Sequence, residues 1–309
     1  LMNTMAGILR GTGNMKLPST MILSSAVWQI MLGGTLGLGL GPVPQFGMRG
    51  VAAGSLIAYS ISISVMGWYL FSGRARVKPK LRGLRVQWAM FIDILRVGAV
   101  SCFSPLQSVL TISIFTHMLA QFGTAVLAGY GIGARLEFML TSVAFAVGIA
   151  SVPMIGMAVG AERIARARRI AWTAGTVSFL SVGVVGSFIA VFPDLWVNLF
   201  TSDPHVRATS HQYLSTAAPM YAFIGLAMSM YFSSQGAAKV LGPVLAQTAR
   251  LIFIGTGGWW LSTHEASAQN FFALAAASMG VLGVLSCLSV ILTRWGKSAQ
   301  VAEAQPALS

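Results

Sequence analysis

Phe138-Met139-Leu140-Thr141-Ser142-Val143-Ala144-Phe145-Ala146-Val147-Gly148-Ile149-Ala150-Ser151-Val152-Pro153-Met154-Ile155-Gly156-Met157 contains no charged residue, and its reading decides the fold. A helix rises about 1.5 Å per residue and the hydrocarbon core of a bilayer is about 30 Å thick, so about 20 apolar residues cross it. The apolar stretch around this run covers 124–157. Seven more lie at 19–41, 49–72, 94–119, 172–192, 211–235, 241–262 and 269–293. Apolar residues make up 55% of the chain and charged residues 9%, where a soluble domain carries roughly a quarter charged. The chain reads as an all-α polytopic membrane protein of about eight transmembrane helices, with no soluble domain.

The net charge of +13 does not point to nucleic acid, because the basic residues cluster in alternate loops. Arg74, Arg76, Lys78, Lys80, Arg82 and Arg85 follow the second span. Arg163, Arg166, Arg168 and Arg169 follow the fourth, Lys239 the sixth, and Arg294 and Lys297 the last. The intervening loops hold Asp194, Asp203 and Glu265. The positive-inside rule then places residues 73–93 and the tail, 295–309, in the cytoplasm, with the basic groups level with anionic lipid heads. Residues 84–96 mix apolar and basic side chains, as an interfacial helix with Trp88 at headgroup depth would, or an ordinary charged linker. Membrane lipid is the expected macroscopic partner.

Enzyme signatures are absent. No Gly-Lys-Ser/Thr phosphate loop occurs, and Gly129, Gly131 and Gly133 read as close helix packing rather than a dinucleotide fingerprint. His117, His205, His211 and His264 show no metal-ligand spacing. Cys102 and Cys287 fall inside apolar spans and read as buried free thiols. Leu1-Met2-Asn3 opens the chain without a charged n-region or cleavage site, so no signal peptide is expected.

An internal repeat is visible. Arg10-Gly11-Thr12-Gly13-Asn14-Met15-Lys16-Leu17-Pro18 and Ser234-Gln235-Gly236-Ala237-Ala238-Lys239-Val240-Leu241-Gly242-Pro243 each place a Gly three residues before a Lys, then a Pro and an apolar span. Matching halves are a common construction of secondary transporters. The second copy runs over six spans and the first shows two of its own. On this pattern about 140 residues precede Leu1, in a parent of about 450 residues and twelve spans.

The residues most able to carry function are polar groups at membrane depth. Arg135 and Glu137 lie in the fourth span, where each charge costs at least about 2.5 kcal/mol. Two residues apart, they face different sides of one helix. They read either as charges clamping neighbouring helices near the outer end of an over-long span or as ion- or substrate-handling groups. Arg250, in the seventh span, is expected to snorkel toward the cytoplasm. Gln107, Thr111, Ser113 and Tyr130 fall in the third and fourth spans, and Tyr221, Tyr231, Gln235 and Gln247 in the sixth and seventh. Such residues serve as helix–helix glue or as ligands. Pro105, Pro153 and Pro219 lie inside spans, where each frees a carbonyl and permits a bend.

These residues also carry a resemblance. Residues 10–18 look like the junction of the fourth and fifth helices of the multidrug and toxic compound extrusion (MATE) transporters. Gly131-Ile132-Gly133-Ala134-Arg135-Leu136-Glu137, then Gly156-Met157-Ala158-Val159-Gly160-Ala161 and Arg166-Ala167-Arg168-Arg169, resemble the eighth-helix region of one bacterial branch. Tyr231-Phe232-Ser233-Ser234-Gln235-Gly236-Ala237 is similar to the end of the tenth helix. The resemblance covers nearly the whole chain and implies a twelve-helix, two-lobe bundle. In that plan 1–72 is the end of helix four plus helices five and six, 73–93 a cytoplasmic linker, 94–294 a six-helix C-terminal lobe and 295–309 a cytoplasmic tail.

The function implied by the resemblance is that of a multi-pass efflux antiporter of the bacterial inner membrane. It exchanges Na⁺ or H⁺ for organic, often cationic, compounds by alternating access. It is not an enzyme, needs no cofactor beyond the coupling ion, and is a monomer at full length with a small organic substrate as partner. The candidate ion- or substrate-binding residues are Glu137, Arg135, Gln107, Tyr130, Tyr221, Gln235 and Gln247. Two departures stand out: Gln107 occupies the place of a seventh-helix glutamate, and Ile224-Gly225 that of a tenth-helix aspartate. The alternatives are an inactive truncated fragment or packing partner, and a lipid-linked sugar flippase of related topology. A flippase cavity is lined by several basic residues, and here Arg135 and Arg250 are the candidates.

Overall fold

The computed structural model describes residues 1–39, 44–72 and 88–296. Most of the expected linker, 73–87, and of the expected tail, 297–309, lies outside the described residues, as do residues 84–87 of the expected interfacial helix. The described residues form helices α1 (Met2–Gly11), α2 (Lys16–Leu38), α3 (Met48–Phe71), α4 (Trp88–Ala120), α5 (Thr124–Gly160), α6 (Ile164–Val191), α7 (Asp194–Val197), α8 (Pro204–Ala217), α9 (Tyr221–Gly236), α10 (Leu241–Thr263) and α11 (Ala268–Leu292). A 3-10 turn, Ala218–Met220, joins α8 to α9. This is the expected all-α polytopic membrane fold. Six helices among the described residues are long and apolar enough to cross a membrane: α2, α3, the Gly98–Ala120 part of α4, α5, α6 and α11.

The other two expected spans depart from simple rods. The 211–235 stretch is preceded by a turn and more of helix, starting at Pro204, and the rod breaks where Pro219 enters the 3-10 turn. The missing N–H of proline and its ring clash with the preceding turn account for the break. The Asp203 carboxylate accepts from the His205 backbone N–H at 2.9 Å and caps α8. The seventh span, α10, is 23 residues long but carries Gln247, Thr248 and Arg250 in its middle.

Internal contacts divide the chain into Leu1–Val86 and Gln87–Ser309. In the first unit, α2 and α3 meet through Gly33 and Gly37 on one side and Gly50 and Gly54 on the other. A Cβ added to Gly54 would lie 2.6 Å from the Gly33 nitrogen. Two small residues four apart let backbones approach, which is how helices associate where water supplies no hydrophobic drive. Ala6, Leu9, Met66 and Leu70 bury α1 against α3, and the Asn14 side-chain amide donates to the Tyr69 hydroxyl at 3.2 Å.

In the second unit, α4–α6 and α8–α11 form one bundle. Its main apolar cluster runs from Phe115 and Leu119 on α4 through Leu136 and Leu140 on α5 to Phe271 and Phe272 on α11. Of the three glycines read as packing residues, Gly129 abuts Thr209 and Gly133 abuts the Tyr213 ring of α8, while Gly131 faces open space. Cys102, expected to be buried, is exposed on the outer face of α4, and Cys287 is half-buried on α11.

The two segments read from the sequence as an internal repeat each end a helix in the same kind of cap. At the end of α1, Gly13 N–H donates to the Arg10 carbonyl at 2.9 Å and Asn14 N–H to the Leu9 carbonyl at 3.1 Å. At the end of α9, Ala238 N–H donates to Gln235 at 3.0 Å and Lys239 N–H to Ser234 at 2.8 Å. Both are Schellman caps with one left-handed residue, Gly13 (φ +85°) and Ala238 (φ +54°). The same cap ends α5, where Glu162 is left-handed (φ +59°) and Arg163 N–H donates to the Ala158 carbonyl at 2.9 Å, so it marks a helix end and not the repeat. The left-handed position sets the register of the turn, and that conformation is not confined to glycine.

Candidate functional site

The site lies within the second unit, where Tyr130, Ala134, Glu137 and Thr141 fall on one face of α5 at helical spacing. Glu137 opens onto two cavities. One has 20 Å³ of internal space, with Thr111, Phe115, Tyr130, Tyr213 and Arg250 among its lining residues, room for about one water molecule. The other has 320 Å³ and lies among α4, α5, α9, α10 and α11, the low end of the size range of small-molecule sites, roughly 300–1,000 Å³. Its walls combine aromatic groups (Phe138, Phe145, Tyr231 and Phe232) with the polar Ser104, Ser108 and Gln247.

Arg250 borders both cavities from α10. It does not snorkel away from the bundle, as its position in the span led one to expect. Its Nε sits 3.4 Å from the Ser278 hydroxyl on α11. No ion pair joins it to Glu137 among the described residues. A carboxylate and a guanidinium thus face one space without direct contact. Each alone is expensive in hydrocarbon, so their long-range attraction and the polar lining offset part of that cost.

Two amides tie the α4 wall to the α10 wall. Gln107 Nε2 donates to Thr248 Oγ1 at 2.6 Å, and Gln247 Nε2 donates to Ser108 Oγ at 2.7 Å. Gln107 Oε1 is buried without a partner. The Tyr231 hydroxyl donates to the Ser101 carbonyl at 3.2 Å and so binds α9 to α4.

The structure brings Glu137, Tyr130 and Gln247 together with Arg250 around these cavities. It places the other candidates elsewhere. Arg135 is exposed on the opposite face of α5, its Cζ 5.1 Å from the centre of the Phe200 ring. Gln107 is occupied by Thr248. Tyr221 is buried and donates to the Gly133 carbonyl at 3.1 Å, holding α9 against α5. Gln235 is half-buried near the end of α9, away from both cavities. Tyr213 and Ser278 were not singled out from the sequence. Tyr213 sits in a weakly apolar stretch, and a lone serine in an apolar span carries no local signal.

Comparison with known proteins decides the family. Residues 101–259, more than half of the chain, match the MatE family model. The chain belongs to the MatE family. Among its relatives, the FAD transporter of Shewanella oneidensis is 23% identical over 252 residues, covering 80% of this chain and 54% of the relative. The probable multidrug resistance protein NorM of Thermotoga maritima is 22% identical over 248 residues, covering 79% and 53%. This MatE chain spans about half the length of these relatives. The Vibrio cholerae MATE transporter VcmN in its bent form superimposes with a TM-score of 0.78 at 22% identity, covering 90% of this chain and 62% of that one. A MATE transporter in the straight conformation gives 0.85 at 18% identity, covering 94% and 65%. The fold is that of MATE transporters, and the relatives are membrane transporters rather than enzymes.

Proposed function

We propose that this chain is part of a twelve-helix, cation-coupled exporter of organic, often cationic, compounds in a bacterial inner membrane. The coupling ion is H⁺ or Na⁺, and Glu137 is the coupling carboxylate of this six-helix unit. One observation carries the reading. Glu137 opens both onto a pocket the size of one water molecule and onto the 320 Å³ cavity. A carboxylate so placed accepts a proton or a small dehydrated cation on one side while an organic molecule occupies the other. Arg250 supplies the counterweight. Arg250 rests on Ser278 in this structure, and it stays there while a cation neutralises Glu137. When the cation leaves, the carboxylate attracts the guanidinium, and the cavity between them changes shape and charge. An ion and a substrate then compete for one space, which is what exchange requires.

The Gln107 and Ile224-Gly225 departures fit this arrangement, since they leave Glu137 as the carboxylate facing these cavities. The test is Glu137→Gln in the full-length protein, assayed in everted vesicles for dye export across a range of pH and Na⁺ concentrations. The reading expects normal protein levels and loss of ion-driven export. Export at the parental rate throughout would make Glu137 a structural group and move coupling outside this unit.

A further inference from the structure

A second opening, unrelated to the Glu137 site, runs along the α5–α6 hairpin. It has 660 Å³ of space and is lined by Val147, Ala150 and Met154 on α5 and by Ile170 and Val177 on α6. On α5 these positions recur at three and four residues, and on α6 Thr173 and Ala174 fill the interval between Ile170 and Val177, so each helix contributes one mainly apolar stripe. Arg166 and Arg169 line the same groove at its hairpin end. From Arg166 to Val177 the groove follows about 16 Å of helix, roughly half the hydrocarbon thickness and so the depth of one leaflet.

The two arginines are exposed and join none of the ion pairs among the described residues. Their neighbour Arg168 is used differently: its guanidinium donates to the Thr293 carbonyl at 3.1 Å and ties α6 to the end of α11. Between residues 161 and 170 four arginines stand with a single acid, Glu162. The groove is thus apolar over one leaflet's depth and strongly positive at one end. A neutral helix would fill the apolar part and leave the arginines unmatched. A zwitterionic lipid would bring a cation to the same end.

We infer that this groove is a binding site for one anionic glycerophospholipid of the inner leaflet, its phosphate held by Arg166 and Arg169 and one acyl chain lying between α5 and α6. The arginines alone would attract any anion, and the groove alone any chain. Their arrangement along one leaflet's depth selects a molecule with both.

Native mass spectrometry of the purified 309-residue chain in neutral detergent tests this, with phosphatidylglycerol and phosphatidylcholine of matched acyl chains as probes. The chain is expected to retain one phosphatidylglycerol in preference to phosphatidylcholine. Arg166→Gln with Arg169→Gln is expected to weaken that retention about 30-fold, about fivefold per charge. Arg166→Lys with Arg169→Lys keeps the charges and controls for folding. Ala150→Trp fills the groove without touching the charges and is expected to release the lipid as well. Equal retention of both lipids overturns the assignment, and so does unchanged phosphatidylglycerol binding in the double glutamine variant. Loss in that variant with full binding in Ala150→Trp overturns it too, because the lipid would then sit on the arginines and not in the groove.

Discussion

Glu137 on α5 and Arg250 on α10 border the same two cavities, and no ion pair joins them among the described residues. Removing one of two interacting charges in a membrane leaves the other uncompensated, whereas removing both does not. Arg250→Leu is expected to destabilise the protein by about 1–3 kcal/mol, and adding Glu137→Gln to recover at least about 1 kcal/mol of that. Detergent-solubilised thermal unfolding of the two single variants and the double variant measures the coupling. Strictly additive effects would mean that the two charges do not share a field.

The contact between Gln107 and Thr248 predicts an asymmetry. Gln107 donates to Thr248 at 2.6 Å while its own carbonyl oxygen is buried without a partner. Gln107→Met removes one hydrogen bond and one unsatisfied acceptor together, and is expected to change stability by less than about 1 kcal/mol. Thr248→Val leaves the whole amide unpartnered and is expected to cost about 1–3 kcal/mol. The reverse order, read from thermal midpoints, would mean that the Gln107 carbonyl has a partner such as water.

Glycine packing predicts a second contrast. A Cβ at Gly186 on α6 would run into the Ala218 backbone carbonyl, whereas one at Gly131 on α5 meets nothing within 4 Å. Backbone cannot swing aside as a flexible side chain does, so Gly186→Ala is expected to cost about 1–3 kcal/mol. Gly131→Ala is expected to stabilise by roughly 0.5–1 kcal/mol through helix propensity. Similar thermal midpoints for the two variants would show that α6 and the Ala218 turn are not in contact.

Asp194 predicts a pH dependence. Its carboxylate accepts from Arg207 at 2.8 Å and lies 3.0 Å from the His211 ring. The Arg207 hydrogen bond above all, and then the His211 charge, hold its carboxyl below the ordinary carboxylate range. A depressed folded-state value means that the contact stabilises above the unfolded value and is lost as pH falls through the folded one. The loss therefore lies below about pH 4. Thermal midpoints of the parent are expected to fall across that window more steeply than those of Asp194→Asn. Parallel curves would show that the pairing adds nothing.

Hydropathy made the helices legible, because burial in a bilayer demands local runs of apolar residues whatever packs beside them. The 241–262 stretch became α10 and 269–293 became α11 within a residue or two. Where the run was less decisive the bounds moved: α6 starts at Ile164, eight residues before the apolar stretch. Arg166, Arg168 and Arg169 continue the helix past the apolar region, since its hydrogen bonds do not depend on hydropathy.

Tertiary structure decided the rest. Glu137 stood out from the sequence as a charge at membrane depth, but its facing Arg250, and not the nearby Arg135, depends on the azimuth of α5 against α10. Gly129 and Gly133, packed against Thr209 and the Tyr213 ring, help set that azimuth. Gln107 and Gln247 read alike as polar residues in spans. Packing tied both across the α4–α10 contact, Gln107 to Thr248 and Gln247 to Ser108, and put Gln247 on the cavity wall. Composition along a chain records how much of each helix must be buried, whereas which side chains meet is fixed by contacts between helices distant in sequence.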